Sequence, residues 1–202
     1  MPGRCASFVL AALLAAAAAA AAAAAPLVVQ LVGSDGQPVS DAVVGVLLRG
    51  AHSVTTTASS QIAQRERQFL PQITTIQTGT AVHFPNFDTV RHHVYSFSPI
   101  KRFELKLYAG TPAAPVVFDK AGVAVLGCNI HDRMASWVVV MDTPLLARSD
   151  AAGLVSFELP AGEHRLLAWR AGWPDGEPFA ELAVTQAAAG QRVSWTLAPR
   201  GR

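Results

Sequence analysis

The sequence predicts an all-β protein, and three observations carry that expectation. Apolar and polar residues alternate with period two in short runs, as in Phe103-Glu104-Leu105-Lys106-Leu107-Tyr108 and Val155-Ser156-Phe157-Glu158-Leu159. Clusters rich in glycine, proline and aspartate, at 33–38, 149–153 and 160–163, separate runs of strand length. No heptad, helical repeat or phosphate-cradling glycine loop breaks the series.

The chain opens with Arg4 and an apolar, alanine-dominated run over 6–25. A basic start, an apolar centre and small residues at the end describe a secretory signal peptide. Cleavage after Ala24 keeps Pro26 from lying directly behind the cut, so residues 1–24 are expected to be removed and the protein to be periplasmic or secreted. The alternative is an uncleaved anchor, since about 20 residues just span a bilayer. Alanine is only weakly hydrophobic, so a membrane link is expected solely through an uncleaved segment. Removal of Arg4 leaves 15 of the 16 basic residues against 14 acidic ones. That balance gives no electrostatic case for nucleic acid or an anionic surface. Cys5 leaves with the peptide, so Cys128 remains as the one thiol and an intramolecular disulfide is excluded. An unpaired thiol in an exported protein needs protection or a use.

In chain order, 27–32 and 39–48 read as strands joined by the turn at 33–38, a β-hairpin whose Asp35-Gly36 step is its strongest signal. The polar, Ser/Thr-rich stretch 50–64 reads as a linker or loose loop, with His52 solvated. Strands follow at 73–76 and 80–84 around Gly79, then at 90–97, 103–108, 116–118, 123–126 and 137–141. The tail adds 155–159, 164–169, 180–185 and 191–197. His83 is expected to be structural or exposed. His164, just after a turn, is expected at the surface.

The chemistry concentrates in Gly127-Cys128-Asn129-Ile130-His131-Asp132-Arg133-Met134. Cysteine, histidine and methionine fall at i, i+3 and i+6 in a loop between two strands. With a second histidine from upstream, His92 or His93, this is the soft ligand set that type 1 copper prefers. Neighbours on a strand point to opposite faces, so one of the two histidines is expected to bind, not both. Plain readings stand beside this one: Met134 as core packing, and Cys-x-x-His as chance. Structural zinc prefers more sulfur and rarely takes a thioether. Glu66, Asp88, Glu104, Asp119 and Asp132 are scattered, without an acid/base pair or a nucleophile motif, so no enzyme is expected. Asp132, beside His131, reads as support for that ligand or as a loop cap.

The Cys-x-x-His-x-x-Met loop with a distant upstream histidine resembles the cupredoxins, and its short spacing the amicyanin type. The wider wording Phe84-Pro85-Asn86-Phe87-Asp88, His92-His93-Val94-Tyr95-Ser96-Phe97-Ser98 and Phe103 to Tyr108 is similar to plastocyanin-like proteins labelled methylamine utilization proteins. The resemblance implies a Greek-key sandwich holding one type 1 copper ion on His92, Cys128, His131 and Met134. His93 would then stand where the family usually has asparagine. It also implies one-electron transfer with redox partner proteins that the sequence does not name. Gly33 to Val44 resembles the first hairpin of carboxypeptidase-regulatory-like β-sandwiches, and 150–162 loosely resembles their second half. The expected organisation is therefore a copper domain over 59–142, inserted in a discontinuous sandwich of 25–58 and 143–202. Two other functions remain open on the residues: copper storage, delivery or sensing, and a structural adhesion module without redox work.

Overall fold

The computed structural model describes residues 24–50, 55–112 and 114–200. The expected signal peptide up to residue 23, with Arg4 and Cys5, and the loop histidine His52 lie outside the described residues. Among the described residues the secondary structure is β throughout. No helix there is long and apolar enough to cross a membrane.

The chain runs through β1 (Ala25–Val32), β2 (Val43–Leu48), β3 (Ser59–Gln61), β4 (Ala63–Arg65), β5 (Gln68–Leu70) and β6 (Ile73–Gln77). It continues through β7 (Thr80–His83), β8 (His92–Ser96), β9 (Phe103–Tyr108), β10 (Val116–Phe118), β11 (Gly122–Gly127) and β12 (Ala135–Met141). It closes with β13 (Leu145–Arg148), β14 (Leu154–Leu159), β15 (Gly162–Trp169), β16 (Ala180–Gln186) and β17 (Gln191–Thr196). Sheets β14-β1-β17 and β13-β2-β15-β16 enclose one apolar core, with Leu27, Leu31, Leu159, Leu166 and Trp169 inside. Sheets β10-β7-β3 and β6-β12-β11-β8-β9 enclose a second, with Phe69, Phe84, Phe118 and Leu126 inside. The hairpin β4-β5 forms a separate two-stranded sheet whose Phe69 packs into the second core.

Strand β12 ties the two cores together. Its Val138 and Val140 belong to the second core, and Val139 and Met141 to the first. Alternation of side chains sends successive valines to opposite faces, and burial on both faces explains the unbroken apolar run. Ile73 and Val123 on neighbouring strands also join the first core. Trp137 on β12 meets Trp169 on β15 with ring centroids 6.2 Å apart. Gly45 makes this approach possible: a Cβ there would sit 2.6 Å from the Met141 sulfur. Polar ties add to it, with Arg148 Nη1 donating to the Ile73 carbonyl at 3.0 Å and Ser98 Oγ to Asp175 Oδ2 at 2.8 Å.

Three expectations are corrected. The turn at 33–38 forms, with Gly36 at φ 76° and Gly33 N–H donating to the Gln37 carbonyl at 2.8 Å. Yet the strands it joins are not a hairpin: β1 lies between β14 and β17, while β2 lies between β13 and β15 in the facing sheet. The connection is an arch with only the Val32–Pro38 bridge across it. Both strands thereby turn an apolar face to the same core, which side-by-side pairing on one sheet would not fill. The stretch 50–64, expected as a loop, carries β3 and β4, with β3 pairing in parallel with β7. His164 is 7% exposed, not on the surface. It shares the inward phase of β15 with Leu166 and Ala168, its Nδ1 accepts from Arg49 N–H (3.4 Å), and its Nε2 donates to the Pro160 carbonyl (2.9 Å).

Candidate metal centre

Two adjacent strands and one loop build the centre. His92 opens β8, where an irregularity in the β8–β9 pairing sets His92 opposite Tyr108 and Val94 opposite Leu105. Such bulges re-aim side chains. Cys128 follows directly on β11, and the loop returns at Ala135 to pair antiparallel with the strand it left. Inside the loop Met134 N–H donates to the His131 carbonyl at 2.9 Å, a tight turn that closes it. Gly127, just before the cysteine, lies under the Tyr95 ring; a Cβ at 127 would fall 2.6 Å from that ring.

The donors converge. His92 Nδ1 lies 4.0 Å and His131 Nδ1 3.8 Å from Cys128 Sγ. The ligand atoms of all three residues lie within 4.8 Å of one another. The two imidazoles have centroids 5.0 Å apart at an interplanar angle of 59°. His92, Cys128 and Met134 are buried, and His131 is half-buried. Met134 belongs to the same core as Cys128. First-row ions bind thiolate sulfur at about 2.3 Å and imidazole nitrogen at about 2.0–2.1 Å, taking zinc as the gauge, so a trigonal arrangement separates sulfur and nitrogen by about 3.8 Å. The observed sulfur–nitrogen separations of 4.0 and 3.8 Å lie close to that value. One thiolate and two imidazoles, with a thioether in the same core, form a soft donor set of a kind that suits copper.

His93 points the other way. Its Nε2 lies 2.9 Å from Glu104 Oε1, and its ring packs beside that of Tyr95, with centroids 5.5 Å apart and planes tilted by 43°. The alternation that allowed only one upstream histidine thus brings His92 to the cysteine. Asp132 is exposed, and His83 is half-buried at the end of β7.

Sequence reasoning missed Asp88. Its Oδ2 lies 2.7 Å from His92 Nε2, and its carboxylate also accepts the backbone N–H of Glu66 (2.6 Å) and Arg67 (2.9 Å). Burial raises the carboxyl pKa, but the Arg67 amide, the His92 ring and the Glu66 amide outweigh it and hold the group below the usual carboxylate value. Asn86 holds the turn that carries Asp88, its Oδ1 accepting Asp88 N–H (2.9 Å) and its Nδ2 donating to the Val90 (2.9 Å) and Tyr108 (3.0 Å) carbonyls. The spacing of Asp88 four residues before His92 was visible, but a four-residue interval has no fixed meaning in a loop.

No family model matches the chain, and no curated protein matches it. Among solved structures, a purple cupredoxin from Nitrosopumilus maritimus is 24% identical, covers 40% of this chain and 98% of that one, and gives a TM-score of 0.37. Amicyanin from Paracoccus versutus is 17% identical over 48% of this chain and 97% of that one, with a TM-score of 0.35. The reduced state of an amicyanin mutant is 16% identical over 48% and 98%, with a TM-score of 0.37. These structural neighbours are cupredoxins, and each spans less than half of the present chain.

Proposed function

We propose that this is an exported mononuclear type 1 copper protein that carries single electrons between redox partner proteins, with His92, Cys128, His131 and Met134 as ligands. The observation that carries the reading is the convergence of two imidazole nitrogens and one thiol sulfur within 4.8 Å of one another, with sulfur–nitrogen separations of 4.0 and 3.8 Å. Bound copper would supply one-electron redox chemistry, cycling between Cu(II) and Cu(I). The chain's own part is to hold the donors still, so that neither oxidation state gains much by rearranging. His92 is fixed from behind by Asp88, Cys128 is shielded from water, and the Met134 turn closes the loop. His131 is the half-exposed member of the set, beside exposed Ile130, and gives the centre an edge at the surface. The separate cores support a copper domain of 59–142 inserted between 25–58 and 143–202. Export rests on the segment 1–24.

An absorption and EPR spectrum of the copper-loaded protein tests this reading. An intense blue or green colour, from a thiolate-to-copper absorption band, is expected with Cu(II), and Cys128→Ser should abolish it. A band that survives the substitution, or Cu(II) bound without colour, sinks the assignment.

A further inference from the structure

The geometry assigns Asp88 as the positioning residue of the centre: its carboxylate, clamped by the β4-β5 turn, fixes the His92 tautomer and biases a bound copper ion toward Cu(II). This deepens the copper reading above and rests on it.

The buried His92 ring has two nitrogens and two neighbours of different kinds. Nε2 faces Asp88 Oδ2 at 2.7 Å, and Nδ1 faces Cys128 Sγ at 4.0 Å. A neutral imidazole has one N–H and one lone pair, and an ionised carboxylate only accepts. Asp88 therefore keeps the proton on Nε2 and leaves the Nδ1 lone pair directed at the centre. Asp88 is itself immobilised. The amides of Glu66 and Arg67, at the tip of the β4-β5 hairpin, donate to its two oxygens at 2.6 and 2.9 Å. Those two residues have φ of 53° and 58°, the left-handed values a two-residue hairpin turn needs but non-glycine residues seldom adopt. The turn thus aims two successive N–H groups at one carboxylate. A carboxylate behind a ligating histidine makes the ring a more basic, more negative donor. Such a donor favours the ion with the higher charge, so Asp88 lowers the reduction potential.

Asp88→Asn keeps the shape but removes the charge and one acceptor oxygen. Its single oxygen cannot serve both turn amides and the histidine. Nitrogen NMR of the copper-free full chain reads the tautomer, and Cu(II) and Cu(I) titrations read the bias. The wild type is expected to show His92 protonated on Nε2, and Asp88→Asn to gain the Nδ1–H form. The Cu(II)-over-Cu(I) affinity ratio should fall about tenfold, a potential rise of about 59 mV for one electron. Asp88→Glu should restore part of the ratio. Wild-type His92 protonated on Nδ1 overturns the proposal, and so does an Asp88→Asn ratio within twofold of wild type. If Asp88→Asn does not fold, the wild-type tautomer and the Asp88→Glu ratio carry the test. Wild-type protein that binds no copper, yet loses the Nε2–H form in Asp88→Asn, upholds the positioning role and removes the copper reading instead.

Discussion

The two sandwiches both enclose apolar cores but differ in what polar groups they bury. Beside the core shared by β1, β2 and β13 to β17, the buried polar residues are Thr143, Ser149, His164 and Gln186. Each makes a local tie: Ser149 Oγ donates to the Val39 carbonyl at 2.7 Å, and Gln186 Nε2 to the Ala25 carbonyl at 2.9 Å. Around the other core lie Gln64, Asn86, His92, His93, Ser96 and Ser98, all buried. Burying polar groups is costly unless they are paired. This half pairs several of them in one network, in which Tyr108 O–H donates to the Phe84 carbonyl at 2.6 Å and Gln64 Nε2 reaches the same carbonyl at 3.1 Å. One interior is arranged for cohesion, the other for holding imidazoles and a thiol in place. The shared strand β12 lets the first brace the second.

The sharpest way to break this contrast is to make the same cut in each core. Leu126→Ala and Leu166→Ala both remove a fully buried side chain and should each cost about 2–5 kcal/mol in denaturant unfolding. Leu126→Ala, two residues from Cys128, should also weaken copper loading, while Leu166→Ala should leave the spectrum of the folded, loaded protein unchanged. A changed spectrum in Leu166→Ala would show that the cores do not act separately.

The join between them is tested by Gly45→Val. The new side chain would meet the Met141 sulfur at 2.6 Å and Thr143 Oγ1 at 2.7 Å, and overpacking of this kind costs about 1–3 kcal/mol. Calorimetry should then show a lower unfolding midpoint, and a split into two transitions would mark the loss of bracing. A smaller effect is expected from pH. Burial, with a contribution from the Cys128 charge and against the Gln64 hydrogen bond, raises the Tyr108 pKa from 10.0 to about 12. A raised pKa means that the folded state holds the proton more tightly. The stability this contributes is complete below pH 10 and is lost as pH climbs through about 12. In a Tyr95→Phe background, ultraviolet titration should report this single late phenol; ionisation near pH 10 would contradict the network. The smallest effect belongs to the surface of the bracing sandwich. The Arg165–Glu181 pair, 3.2 Å apart, has side chains 56% and 55% exposed, and Arg165→Ala should change stability by less than about 0.5 kcal/mol.

Much of the fold was legible because strand signals are local. The alternation of Phe103 to Tyr108 and of Val155 to Leu159 marks β9 and β14, and the glycine turns at Gly79 and Gly153 fall between strands. The loop from Cys128 to Met134 was legible for the same reason, since three donors within seven residues need no distant information. Pairing was less so: the Asp35-Gly36 turn forms, but whether the chain beyond it returns beside β1 or crosses to the facing sheet depends on where β13 to β17 pack. His164 was misjudged because the phase of β15 relative to the core is set by β2 and β16. The short, polar β3 and β4 carry no apolar periodicity and exist through their partners β7 and β5.

By itself, then, the sequence determined the all-β class, the positions of most strands and turns and the cluster of cysteine, histidine and methionine, all of which depend on residues within a few places of one another. It narrowed the upstream histidine to one of two, because alternation forbids both. Only the tertiary structure decided that His92 faces Cys128, that successive valines of β12 serve different cores, and that the amides of Glu66 and Arg67 hold Asp88 against His92. Those outcomes turn on which strand lies beside which, and no local pattern encodes a neighbour some twenty or more residues away.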